Sequence, residues 1–147
     1  MFKYKNHDYL KELLASIMVS RLEKIGFEIK DYSMVTAVPT HLDKLKERGY
    51  NQASLLGKKL ANHFKIPFTD DIIYGRKSRP AQVKLKKAQR QTGIKEAFQV
   101  KKQIKGENII IVDDIVTTGS TITECALTLK KAGAKRITAI TLAKTIL

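Results

Sequence analysis

The chain has little cysteine, no long apolar run, no glycine-spaced phosphate loop, and hardly any acid across its most basic segment. Cys125 is the only cysteine, so neither a disulfide framework nor a cysteine-based zinc site can form within one chain. The spacing Ile122, Cys125, Ala126, Leu129 sets that thiol on an apolar helical face, which predicts an inert core residue with nothing nearby in sequence to activate it. No apolar stretch approaches the roughly 18 to 20 residues of a membrane span. The opening MFKYKNHDYLKELL lacks the basic-then-apolar pattern of a secretion signal. The expectation is a cytoplasmic protein without a membrane span.

What is present bounds the rest. At 147 residues and 43% hydrophobic, the chain can build one core, and we expect a single domain over residues 1–147. Twenty-eight basic against fourteen acidic residues give a formal charge of +14, a bias towards polyanions such as nucleic acid, phosphates or membrane surfaces. From Tyr74 to Lys105 there are eleven Lys or Arg and one Glu, so one segment carries most of that excess.

Periodicity orders the chain into alternating helices and strands. Leu10, Leu13, Leu14, Ile17, Met18 and Ile25 predict a packing helix over 8–25, ended by Gly26. YSMVTAV (32–38) reads as a strand closed by Pro39, PTHLDKLKERGYNQ as a loop, and about 51–64 as a helix on Leu55, Leu56, Leu60 and Phe64. Short strands are expected at 71–74 and 97–100, a confident one at 109–112, a helix over 120–132 stopped by Gly133, and a last strand in RITAITLA. Strand, helix and strand within about 35 residues make a βαβ unit with parallel strands.

In an open parallel sheet, ligands sit where strands end and helices begin. NIIIVDDIVTTGSTI (108–122) brings Asp113 and Asp114 to such an edge, and Thr117, Thr118, Gly119, Ser120 and Thr121 open the next helix. Backbone N–H groups and hydroxyls converging on a helix N-terminus favour a phosphate. Two carboxylates beside it would repel that phosphate unless they face sugar hydroxyls or a divalent cation such as Mg²⁺. Together these parts fit a ribose 5-phosphate. A Walker loop needs a lysine and a Rossmann turn three spaced glycines; this turn has one glycine and no lysine. The competing structural reading is a strand end with a solvated Asp pair and a Thr cap.

IIIVDDIVTTGST (109–121) resembles the 5-phosphoribosyl 1-pyrophosphate (PRPP) motif of type I phosphoribosyltransferases: four apolar residues, two acids, two variable positions, then hydroxyls around a glycine. The wider stretch from about Val38 to Leu142, with VPTHLDKLKERGYNQASLLGKKLA and RPAQVKLKKAQRQTGIKEAF, is similar to the ComF family of competence proteins. The resemblance implies a type I phosphoribosyltransferase-like α/β fold, a mainly parallel sheet flanked by helices with a mobile basic lid loop. It implies that 117–121 hold the 5-phosphate and that Asp113 and Asp114 hold ribose hydroxyls, with Mg²⁺ taken directly or through water or ligand. Pro39, Thr40 and His41 match the position of the family's pyrophosphate loop, and Arg48 offers a fork for phosphate oxygens; the alternative is that His41 and Arg48 are solvated while Tyr50 and Gln52 begin the next helix. Arg79, Lys84, Lys86, Lys87 and Arg90 would close over pyrophosphate, line a path for single-stranded DNA, or simply face solvent.

Two departures stand out. Many ComF relatives carry an amino-terminal four-cysteine zinc ribbon, which one cysteine cannot supply, so the chain is a short form or the ribbon lies outside this sequence. Lys84-Leu85 stands where family members tend to have Gly-Leu. Three functions are expected from the resemblance and the charge: a phosphoribosyltransferase acting on Mg-PRPP and a nitrogen nucleophile, a single-stranded DNA-handling protein of transformation beside a competence helicase, or a PRPP-binding regulator. His7 and His63 have no second ligand at metal spacing and are expected at the surface.

Overall fold

The computed structural model describes residues 3–76 and 97–145. Arg79, Lys84, Lys86, Lys87 and Arg90, the expected lid or nucleic-acid surface, lie outside the described residues, as does the side chain of His7. Helix α1 (Lys3–Lys24) leads through a 3-10 turn (Ile29–Asp31) to strand β1 (Met34–Ala37). Helices α2 (Leu42–Arg48) and α3 (Gln52–Phe64) follow, then short strands β2 (Ile73–Gly75) and β3 (Phe98–Val100). Strand β4 (Asn108–Val116), helix α4 (Ser120–Lys131) and strand β5 (Arg136–Lys144) complete the described chain.

The order β1-β4-β5 makes a three-stranded parallel sheet. Central β4 explains the apolar run that marks it: a strand covered on both faces needs apolar side chains at every position rather than at alternate ones. Ile110 and Val112 face a core shared with α1 and α3 through Met18, Leu22, Leu56 and Leu60. Ile109 and Ile111 face a second core with Ile122, Cys125 and Leu129 of α4 and Ile73 of β2. All four are fully buried, and each contributes about 1.5 to 3 kcal/mol by leaving water.

Outside this sheet, β2 and β3 pair antiparallel in the register Ile73↔Val100, Tyr74↔Gln99 and Gly75↔Phe98. Arg76 N donates to Ala97 O at 2.7 Å, so the two ends of the basic segment meet at a hairpin neck. With its amide oriented to satisfy both neighbours, Gln99 accepts from Arg76 Nε at 2.8 Å and donates to the Tyr74 hydroxyl at 3.0 Å.

Two expectations need correction. The stretch read as a loop after β1 contains the seven-residue helix α2, which buries none of its side chains. LDKLKER is rich in good helix formers, but a helix with no buried face shows no burial period, and both Leu42 and Leu45 are exposed. The central strand also outruns its apolar segment. Pairing continues from Asp113↔Thr141 to Val116↔Lys144, because backbone hydrogen bonding to β5 is indifferent to the side chains it carries.

Candidate functional site

The site is built where β1 stops accompanying β4. The last β1 pairing is Ala37↔Val112, with Val38 N donating to Val112 O at 2.9 Å just beyond it. Asp113 and Asp114 follow on a stretch of β4 paired only with β5. Each acid accepts the amide of its successor, Asp114 N to Asp113 Oδ1 at 2.9 Å and Ile115 N to Asp114 Oδ1 at 2.8 Å. These bonds hold one oxygen of each carboxyl against the backbone, and the two carboxyl groups also face each other.

Burial pushes the Asp113 carboxyl up to about 6, the Asp114 carboxyl beside it adds to the rise, and the positive charge of Lys44 on α2 opposes it. Lys44 was invisible as a site residue in sequence, being one of several lysines in an exposed stretch. Only its place on α2 brings its charge to the acids. Beneath them, Cys125 is fully buried, and desolvation pushes its thiol up to about 12, with the charges of Asp113 and Glu124 adding to the effect. The inert-thiol reading is upheld.

After Val116 the chain turns through Thr117 and Thr118 to Gly119, the residue before α4, which sits at φ +82. A side chain there would strain the left-handed backbone. Glycine also leaves the helix start without a side-chain cap. Of the first-turn amides, that of Ser120 turns to Thr118, while those of Thr121 and Ile122 have no partner within the helix and lie at its positive end. The Thr118 and Ser120 hydroxyls are 2.8 Å apart, and Ser120 N donates to Thr118 Oγ1 at 3.3 Å. Asp113, Ile115 and residues 116–122 line an open hollow at the start of α4.

The other candidates are distributed unevenly. Thr40 is half-buried just past β1, while His41 precedes α2 and Arg48 ends it; both are exposed and have no side-chain partner among the described residues. Tyr50 lies under Lys11, whose ammonium is 4.0 Å from the ring centroid, and Gln52 opens α3. His63 is exposed and bonds Glu23 Oε1 at 2.8 Å. A groove between α1 and α3 is lined by Glu12, Ser16, Ser20, Glu23, Lys59 and His63, whose charged members pair with one another, His63 with Glu23 and Lys59 with Glu12. Asn51 escaped the sequence reading. Its Oδ1 accepts from Ala53 N at 3.0 Å, capping α3, while its Nδ2 donates to Val38 O at 2.9 Å, so it ties the helix start to the end of β1. The cap was legible from its position before α3; the second bond depends on the fold.

A strand carrying two acids into a hydroxyl-rich turn at a helix start defines the class. The phosphoribosyl transferase domain matches residues 51–146. Solved structures agree on the fold: a glutamine PRPP amidotransferase from Bacillus subtilis superposes with a TM-score of 0.61 at 16% identity, covering 90% of this chain and 26% of that one. Adenine phosphoribosyltransferase from Saccharomyces cerevisiae gives 0.57 at 17%, covering 92% and 69%. Among curated proteins, Competence protein F of Haemophilus influenzae is 30% identical over 141 residues, 92% of this chain and 62% of that protein. DNA utilization protein YhgH of Salmonella typhimurium is 30% identical over 134 residues, 91% and 58%. The chain belongs to the phosphoribosyl transferase domain family, as a ComF-family protein. It spans about six tenths of the length of these curated relatives.

Proposed function

We propose that the turn at 117–121 and the acids Asp113 and Asp114 bind a ribose 5-phosphate ligand, PRPP with Mg²⁺ in the first instance, in a protein of DNA uptake. The observation that carries this reading is the uncapped start of α4, with Gly119 at φ +82, directly downstream of two carboxylates on the same strand. The first-turn amides and the Thr118 and Ser120 hydroxyls supply donors for the phosphate. The half-buried carboxylates accept from the ribose hydroxyls.

The fit of the metal can be judged from the donors. Among the described residues no three His, Cys, Asp or Glu side chains gather as a metal cage. Two adjacent carboxylates suit Mg²⁺, which is commonly bound by one or two carboxylates with ligand phosphates and water completing the shell. When bound, the ion neutralises charge on the leaving pyrophosphate. The chain's own contribution is to fix the sugar by its phosphate and its diol, so that C1 is presented to a nitrogen nucleophile as its bond to pyrophosphate loosens. Thr40, His41 and Arg48 serve the pyrophosphate from the β1 side. Such a reaction rests on positioning and charge stabilisation and needs no protein nucleophile. Calorimetric titration of Mg-PRPP tests it: binding by the wild type and none by Asp113→Asn/Asp114→Asn supports the site, whereas equal affinity in both removes the acids from it.

A second reading, a non-catalytic handler of single-stranded DNA, draws on the +14 charge and on the DNA-related names of the relatives. Its surface would include the basic segment, and its partner class is nucleic acid. Wild-type protein that binds DNA but not Mg-PRPP would favour it.

A further inference from the structure

The ligand reading uses the carboxyl end of β4. At the other end of the sheet, two segments far apart in sequence are laced side by side. Ile104 N donates to Ala132 O, Gly106 N to Gly133 O, and Lys135 N to Glu107 O, each at 3.0 Å. Glycine at 133 permits the close approach, since a Cβ there would stand 2.1 Å from Ile104 O. The lacing gathers exposed Lys101, Lys102 and Lys105 from one segment with Lys131, Lys135 and Arg136 from the other. Lys130, also exposed, turns its ammonium to Lys135 O at 2.5 Å and keeps its charge beside them.

The acids in this neighbourhood are few. The Glu107 carboxylate accepts from Lys105 N, and the Asp71 carboxylate, bonded by the Thr69 hydroxyl at 2.5 Å, feels the charges of Lys101 and Lys102. Within the two segments themselves, seven cations stand against one acid, Glu107. Favourable placement at a helix C-terminus accounts for Lys130 and Lys131. It does not account for the five cations that lie outside the helix.

The patch also excludes partners. Neither segment contributes an exposed large apolar side chain, which a membrane-surface element would insert. Neither contains an aromatic ring on which a base could stack. We propose that the amino-terminal end of the sheet, where 101–107 and 130–136 are laced through Gly133, is a separate site for the phosphodiester backbone of nucleic acid, read without base contacts. Helix α4 alone sets it about 18 Å from the phosphate turn, so it stands or falls independently of that turn.

Binding of full-length protein to a mixed-sequence 20-base-pair duplex and to the matching single strand, followed by fluorescence anisotropy across a salt series, tests the proposal. In Lys101→Ala/Lys105→Ala/Lys131→Ala/Lys135→Ala, duplex affinity is expected to fall at least about tenfold near 50 mM salt. The slope of log affinity against log salt should shallow by about three to four, roughly 0.9 per lost contact. Arginine at the same four positions should bind as the wild type does, and the wild type should not prefer single strand over duplex. The proposal is overturned by no binding in the wild type, by an unchanged alanine variant, by equal loss in the arginine variant, by a strong single-strand preference, or by tighter binding to phosphatidylserine vesicles than to duplex.

Discussion

Asp113 is held in the fold at a cost that the rest of the chain offsets. Its carboxyl titrates near 6 when folded and near 3.9 when unfolded, so between these values the folded state holds more protons. Stability from this group is therefore greatest below about pH 4 and declines as pH rises to about 6. Asp113→Asn removes that decline while keeping an acceptor for Asp114 N. The variant is expected to be about 1 to 2 kcal/mol more stable at pH 7.5 after allowing for solvent screening, and no more stable at pH 4. Urea unfolding at both pH values checks this; a gap between wild type and variant that does not widen with pH would refute the assignment. Stability gained by removing the very group proposed to hold ribose would follow the usual opposition between binding and folding.

Among the elements, the join between β1 and α3 frames everything from Pro39 to Tyr50. Asn51→Ala removes the α3 cap and leaves Val38 O without its donor, for an expected loss of about 1 to 2 kcal/mol. Asn51→Ser keeps a cap acceptor and loses the donor to Val38 O without adding charge, so thermal unfolding should place it between Asn51→Ala and the wild type. Equal stability of the Ser variant and the wild type would show that the tie to β1 contributes nothing. The same elements show what was legible in advance. β4, α4 and β5 could be read because burial writes its period into the residues, and the turn at 117–121 because its donors are contiguous. α2 could not, since an exposed helix leaves no such trace, nor could the strand beyond Val112, where β5 supplies the pairing. Lys44 and the second bond of Asn51 join parts of the chain that only folding brings together.

Over the whole molecule, the two proposed sites lie at opposite ends of one sheet. The carboxyl end presents open amides and paired acids; the amino end presents lysines on a lattice of three backbone hydrogen bonds. No helix among the described residues is long and apolar enough to cross a membrane, and among those residues no lysine or arginine with a described side chain is buried. Between the two ends runs α4, with Cys125 sealed beneath it as the chain's sole thiol. That burial makes the protein its own stopwatch. A thiol reagent can reach Cys125 only when α4 lifts, so its labelling rate at neutral pH reports how often the helix opens. A ligand that grips the start of α4 should slow labelling by a factor of one plus its concentration over Kd, about a hundredfold at 100 Kd when opening is in rapid equilibrium. Unchanged labelling in the presence of a bound ligand would mean that the helix opens without releasing it.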